Sequence, residues 1–292
     1  MLEEMRVLVL GGTGNVGAPL VAQLRGDGVD VVAAARRGGG EAGSISLDMT
    51  DAATLAEQAK GYQAVYLATP LGPEETDIGL AAVEALRSAG VRKIVYLAIH
   101  NLESMAEIPH FETKIPIKEA VLSEPGGVVL QPNFFFQNDL MAIPAIMGAG
   151  VYPLPIGTAG VWSIDAADIA RAAANALLSD QWVGQAVPLC GPDQLTGPAI
   201  AANWAAAKGA PVDYGGDGIE PFIDAMRRNV PDFSDWMAHD FTVMMEVTQD
   251  RGCPSTAEDR TRSEAIVGQP LLSHPEFVTA TLAQGQPQEN TP

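Results

Sequence analysis

The chain has 292 residues, 47% of them hydrophobic, so it can bury a real core and cannot be disordered throughout. Asp and Glu number 36 against 17 Lys and Arg, and the resulting net charge of −19 repels phosphate backbones and anionic bilayers alike. Neither nucleic acid nor a membrane is expected as a partner, and no apolar run reaches the roughly 18 residues that a spanning helix needs.

Short apolar runs recur at Arg6–Leu10, 29–34, 64–68, 93–98 and 127–130, each nearly all apolar, as in parallel strands covered on both faces. Between them the spacing predicts helices at 16–24, Ala52–Gln58, 76–88 and about 111–122. Asp51 suits the N-cap of the second helix, and Gly90 follows the third where a left-handed residue is wanted. Strand, helix, strand at this rhythm makes a doubly wound parallel sheet of the Rossmann type. Pro116 lies inside the fourth helical stretch, so that helix starts late or kinks.

Beyond Pro132 the pattern turns irregular. Phe134-Phe135-Phe136 opens a segment rich in Met, Pro and Gly. A helix at 164–178 is expected with Asp165 as its N-cap and Asp168 three residues on, then a strand at 187–190 and an alanine-rich helix over 199–208 capped by Thr196. From about Val212 the chain is mixed and acidic, with helices expected near 221–229 and 274–282 and a frayed polar tail from 284. We read residues 1–152 as the dinucleotide-binding domain, with segments near 164–192 returning to it. Residues 153–292 form a smaller substrate-binding or lid region.

Two cysteines, Cys190 and Cys253, stand outside any Cys-x-x-Cys, which argues against a disulfide framework and a thiolate zinc site. Four histidines without ligand spacing make no metal site. The opening residues lack a basic region ahead of an apolar stretch, so a cytoplasmic setting is expected. An apolar patch on this acidic surface would allow a homodimer.

The sharpest signal is Gly11-Gly12-Thr13-Gly14-Asn15-Val16-Gly17, between the first strand and the first helix. One glycine turns the chain out of the strand, one lets the backbone approach a pyrophosphate, and one lets the helix pack on the sheet. The anion then meets unsatisfied N–H groups and the positive end of the helix dipole. An NAD site usually places Asp or Glu at the end of the second strand. Here that strand ends in Arg36-Arg37, guanidiniums that suit a 2′-phosphate, so the expected cofactor is NADP(H). Asp48 either accepts from the adenine amino group or caps a turn. Thr69-Pro70 ends the fourth predicted strand at the sheet's carboxyl edge, near where the cofactor ribose is expected.

These residues resemble the NmrA-like branch of the atypical short-chain dehydrogenases/reductases, near its isoflavone-reductase-like and quinone-reductase-like members. The resemblance spans nearly the whole chain. It rests on Gly11–Gly17, Asp48-Met49-Thr50-Asp51, Lys93-Ile94-Val95-Tyr96-Leu97, His110-Phe111-Glu112-Thr113-Lys114 and Gln131-Pro132-Asn133-Phe134-Phe135-Phe136-Gln137-Asn138, with Ile164–Ala170 and Cys190-Gly191-Pro192 further on. It implies NAD(P) binding and an oxidoreductase, or a non-catalytic redox sensor such as the family also contains.

Typical members use Ser, Tyr and Lys, with Tyr four residues before Lys. Here Lys114 is present, the Tyr position holds His110, and the Ser segment reads Ala98-Ile99-His100-Asn101. Three routes to a proton remain: Lys114 itself if its surroundings favour the neutral amine, His110 or His100, or solvent. Lys114 could equally hold the nicotinamide ribose hydroxyls. For the substrate, Phe134, Phe135, Phe136 and Trp236, with Met141, Met147, Trp162, Phe241 and Met244, could line an apolar pocket between the two domains, although Phe135 and Phe136 cannot both point inward on extended backbone. The expected function is NADP(H)-dependent reduction of a small apolar, aromatic or quinone-like substrate. The alternative is an NADP(H)-binding sensor.

Overall fold

Apolar runs too short for helices pair side by side in the first part of the chain. In the computed structural model, which describes residues 5–36 and 43–285, the chain forms β1 (Arg6–Leu10), α1 (Gly17–Gly26), β2 (Asp30–Ala35), β3 (Ser44–Ser46) and α2 (Ala52–Gln58). Next come β4 (Ala64–Leu67), α3 (Glu75–Ser88), β5 (Lys93–Leu97), α4 (Pro109–Glu112), α5 (Lys114–Ser123) and β6 (Gly127–Pro132). These are followed by α6 (Ile143–Gly148), β7 (Val151–Tyr152), α7 (Ala166–Leu178), β8 (Ala186–Leu189), α8 (Gly197–Lys208) and β9 (Asp213–Tyr214). The chain closes with α9 (Ile219–Asn229), α10 (Asp235–Arg251), α11 (Ala257–Val267) and α12 (His274–Gly285).

Seven strands make one parallel sheet in the order β3-β2-β1-β4-β5-β6-β8. This is the doubly wound arrangement, with its reversal of strand order between β1 and β4, where such sheets bind ligands at the carboxyl ends. Two helical layers cover it, α1 with α7 and α11, and α2 with α3 and α5. Residues Val7–Leu10, β4 and most of β5 are buried, which is why they read as unbroken apolar runs rather than alternating ones.

The described residues divide into two units. One comprises the chain up to Pro132 with Ala166–Leu189 and Thr256–Pro270, and the other Asn133–Asp165, Cys190–Ser255 and the chain from Leu271 onward. The first unit therefore stops at Pro132 and not at 152. The reason lies in long-range partners: Asn133 donates to the Cys253 carbonyl (3.0 Å), and Phe135 bridges to Ile164, all within the second unit. The returning segment is 166–189, close to the expected 164–192. A second return, 256–270, carries no advance sign in hydrophobic periodicity. Its helix α11 is held by Ser263, which donates to the Pro188 carbonyl, and by Asn175, which donates to that of Ile266.

The expected helix at 111–122 is two helices broken at Thr113. Pro116 is the third residue of α5, in a first turn whose N–H groups need no helical partner, so it is accommodated without a kink further along. In the second unit β7 and β9 pair as a short parallel ribbon. Behind that ribbon the Tyr152 hydroxyl, the Trp204 indole N–H and His274 Nε2 converge on Asp139, each at 2.8 Å. All four side chains are buried. A His274 ring protonated on Nε2 donates to Asp139 and accepts from Asn203 at Nδ1 (3.1 Å). Burial, reinforced by the Asp139 carboxylate, pushes the Tyr152 phenol well above its usual range, so it remains a donor.

Candidate active site

The turn after β1 is built almost entirely from main chain. Gly11 sits at φ +79°, a conformation that favours glycine, and its N–H and that of Gly12 both reach the Ala34 carbonyl of β2 at 3.0 Å. A Cβ on Gly12 would come within 2.8 Å of Ala33 Cβ, and one on Gly17 would overlap the Gly11 carbonyl oxygen. Only glycine allows the helix to start this close to the strand. Helix α1 then opens without a side-chain cap at Val16, without an acidic residue in its first turn, and with Pro19 as its third residue. Among the described residues, the N–H groups of Thr13, Asn15, Val16 and Gly17 meet no acceptor. Thr13, Gly14 and Asn15 are exposed. Amides left open at a helix N-terminus are of the kind that can receive an anion.

Arg36 follows β2 directly and is exposed, its carbonyl accepting from the Ser46 hydroxyl. Arg37 lies outside the described residues. Asp48 Oδ1 accepts from the N–H and the hydroxyl of Thr50, which makes Asp48 a turn cap. Those bonds, with a smaller contribution from Arg36, hold its carboxyl below the usual carboxylate range.

A second cluster lies at the carboxyl ends of β4 and β5. Lys114, the first residue of α5, is buried, and its Nζ makes an ion pair with Glu75 Oε1. It also donates to Thr69 Oγ1 at 3.3 Å and lies 5.9 Å from the centre of the Tyr96 ring. Glu75 is fully buried at the start of α3 and accepts twice more, from Thr69 Oγ1 (2.5 Å) and Thr113 Oγ1 (2.8 Å). The positive end of α3 favours a carboxylate there. What brings the pair together is the packing of α3 on α5. Gly79 lies against Ile117 so closely that a Cβ would overlap it. Glu75 stands one turn before Gly79 and Lys114 just under one turn before Ile117, so both reach the same end of the helix pair.

The charged neighbour of Lys114 is thus an anion. Removing one partner of a buried ion pair costs about 3–5 kcal/mol. Glu75 went unnoticed in the sequence because an acid at a helix start reads equally well as a complement to the helix dipole.

The two histidines differ. His110 is buried and packs edge-on against Phe111, ring centres 4.8 Å apart. His100 follows β5, is partly accessible, and has Nε2 3.8 Å from Asp259 Oδ2 of α11. Asn101 beside it holds φ +61°, a left-handed conformation that Asn tolerates. Asp259 is the other residue the sequence reading missed; its Thr256-x-x-Asp259 spacing is that of a capping box, and both capping bonds form.

In the second unit Phe134, Phe135 and Trp236 are half-buried. Phe136 is buried and packs on His274 and Phe277, so it belongs to the core and is withdrawn from the set of ligand contacts. Met141 and Met147 are exposed. Among the described residues no group of His, Cys, Asp and Glu could hold a metal ion, and no helix is long and apolar enough to cross a membrane.

A parallel sheet in this order, with a glycine turn and open helix N-terminus after β1, defines a nucleotide-binding Rossmann protein. The chain belongs to the NmrA-like family, whose model matches residues 3–265. It is 31% identical over 231 residues to an NAD(P)H azoreductase of Xenophilus azovorans, covering 75% of this chain and 80% of that protein. Its fold is shared with the NADPH-dependent quinone oxidoreductase QOR2 of Escherichia coli, solved with NADPH (TM-score 0.79, 20% identity, 94% of this chain and 99% of that one). It is also shared with the triphenylmethane reductase of Citrobacter sp. (TM-score 0.80, 17% identity, 96% of this chain and all of that one).

Proposed function

We propose that this NADP(H)-dependent oxidoreductase reduces a small, apolar, aromatic or quinone-like acceptor, with Lys114 holding the cofactor and His100 supplying the proton. The observation that carries the reading is the main-chain cradle: open amides at Thr13, Asn15, Val16 and Gly17, in a turn that no side chain at Gly12 or Gly17 would permit. These amides would hold the diphosphate, and Arg36 the 2′-phosphate, a fork suited to that group. The second oxygen of Asp48 is left for the adenine edge, and the Thr69-Pro70 backbone for the ribose. When bound, the cofactor supplies a hydride; the protein must supply position and a proton.

An ammonium has three donors, and two of those on Lys114 go to Glu75 and Thr69. The third is available to a ribose hydroxyl. Its ion-pair partner is a fully buried carboxylate, so the ammonium is anchored where it stands. Lys114 is therefore the holder and not the acid. Of the two histidines, His100 is the more accessible and has a carboxylate to orient it. For the acceptor, the half-buried Phe134, Phe135 and Trp236 offer flat apolar contacts, and a relative that is 31% identical is an azoreductase.

The test is to follow NADPH absorbance across a panel of quinones, azo dyes, enals and aryl ketones. Quinones or azo dyes should turn over fastest. His100→Gln should lower kcat by about 100-fold. Saturable NADPH binding with no turnover of any acceptor would instead make the protein a dinucleotide sensor, and an unchanged kcat in His100→Gln would hand the proton to solvent.

A further inference from the structure

We propose that the second unit carries a binding site of its own for a flat, uncharged aromatic molecule, in a cavity between α9 and the segment 141–154. The inference rests on second-unit residues alone and stands apart from the cofactor reading.

The cavity measures about 450 Å³, within the range of small-molecule sites. Met141 and Leu154 form one wall, and Phe222, Ala225, Met226 and Val230 of α9 and its end form the other. Gly215, Gly216 and Gly218, here called the floor, complete the lining and add only backbone to it.

A cavity of this kind normally collapses unless its walls are held. Here they are. Met141 lies two residues past Asp139, and Leu154 two past Tyr152, so both follow members of the buried cluster in which the Tyr152 hydroxyl donates to Asp139. The β7–β9 ribbon fixes the chain between them and the glycine floor. The floor is pinned in turn by the Tyr214 hydroxyl, which donates to Asp217 Oδ1 (2.5 Å) and accepts from the Gly157 N–H (2.9 Å). Gly216 at φ +88° completes a turn that side chains rarely permit. Walls fixed before binding spare a ligand the cost of ordering them.

The lining then selects the ligand class. Among the described residues that line the cavity none is charged. The acids and bases of α9 (Glu220, Asp224, Arg227 and Arg228) are excluded from it. A charged ligand would lose hydration and find no partner. Two methionines and Phe222 give polarizable, aromatic-compatible walls, and Met141 stands 53% exposed at the rim, apolar surface that a ligand would cover. The polar side chain at the cavity, Asn229, already donates to the Ala225 carbonyl at 2.9 Å and keeps its oxygen as an acceptor.

The full chain is titrated with N-phenyl-1-naphthylamine, an uncharged fluorescent aromatic, and in parallel with its sulfonated analogue of the same skeleton. Saturable one-to-one binding of the neutral probe is expected, with the sulfonate at least about tenfold weaker. Ala225→Trp, which fills the cavity from α9, and Met141→Asp, which puts a charge at an exposed rim position, should each weaken the neutral probe by about tenfold or more. Absence of binding, equal binding of the sulfonate, or wild-type affinity in both variants would overturn the site. NADPH titrated into the same samples keeps the two readings apart, since its binding depends on the glycine cradle and not on these residues.

Discussion

The glycine turn after β1 and the Lys114 cluster after β4 and β5 belong to one unit and one edge of one sheet, yet they are made in opposite ways. The turn uses main chain: its donors are amides left open by a helix that begins without a cap, and its side chains are chiefly absent ones. The cluster uses side chains drawn from three separate segments, Thr69, Glu75 and Thr113-Lys114, and exists only because α3 and α5 pack at Gly79 and Ile117. A main-chain site fails when a side chain is added. A side-chain site fails when a partner is removed.

The largest effect should come from the second kind of damage. Glu75→Gln leaves the buried Lys114 ammonium without its counter-charge, and urea unfolding should show a loss of about 3–5 kcal/mol. Adding Lys114→Met should restore much of it; a double variant as unstable as the sum of the two singles would mean that the pair is not coupled. The first kind of damage comes next. Gly17→Ala forces a Cβ into the Gly11 carbonyl, and about 1–3 kcal/mol of stability should be lost along with measurable NADPH binding. Unimpaired binding would show that the turn relaxes freely and that close approach is not its purpose.

The smallest effect concerns acid. The Asp48 carboxyl is held below its usual value near 3.8, chiefly by the Thr50 N–H and hydroxyl. Its contribution is therefore fully present above that pH and is lost as pH falls through the lower folded-state value. Asp48→Asn should make the protein slightly less stable at neutral pH and equal to wild type at the acid end. A difference that widens on acidification would contradict the turn-cap assignment.

The same contrast explains what could be read from the chain. The glycine turn was visible because it is written as glycines at fixed spacing directly after a strand, and the sheet because strands buried on both faces leave continuous apolar runs. Glu75 was not, since nothing local tells a structural helix-start acid from a partner for a lysine 39 residues away. Helix α10, the longest in the described residues, was missed for another reason: its composition is mixed, without a clear apolar stripe. Its ends were marked all the same, by Ser234 accepting from Met237 N and by Gly252 at φ +68°. Helix α11 likewise announced itself only through the Thr256–Asp259 box and Gly268. In the second unit capping residues were better guides than periodicity. The boundary at Pro132 has no local signature, because it depends on where Asn133 and Phe135 find partners far along the chain.

Calorimetric titration of the full chain with NADPH and with NADH, repeated on Arg36→Ala, tests the cradle and its selectivity together. The account predicts one saturable site, tighter for NADPH, with Arg36→Ala costing NADPH about 1.5–3 kcal/mol and NADH little. Heat from neither dinucleotide would contradict it, and an equal loss for both would remove Arg36 from the 2′-phosphate.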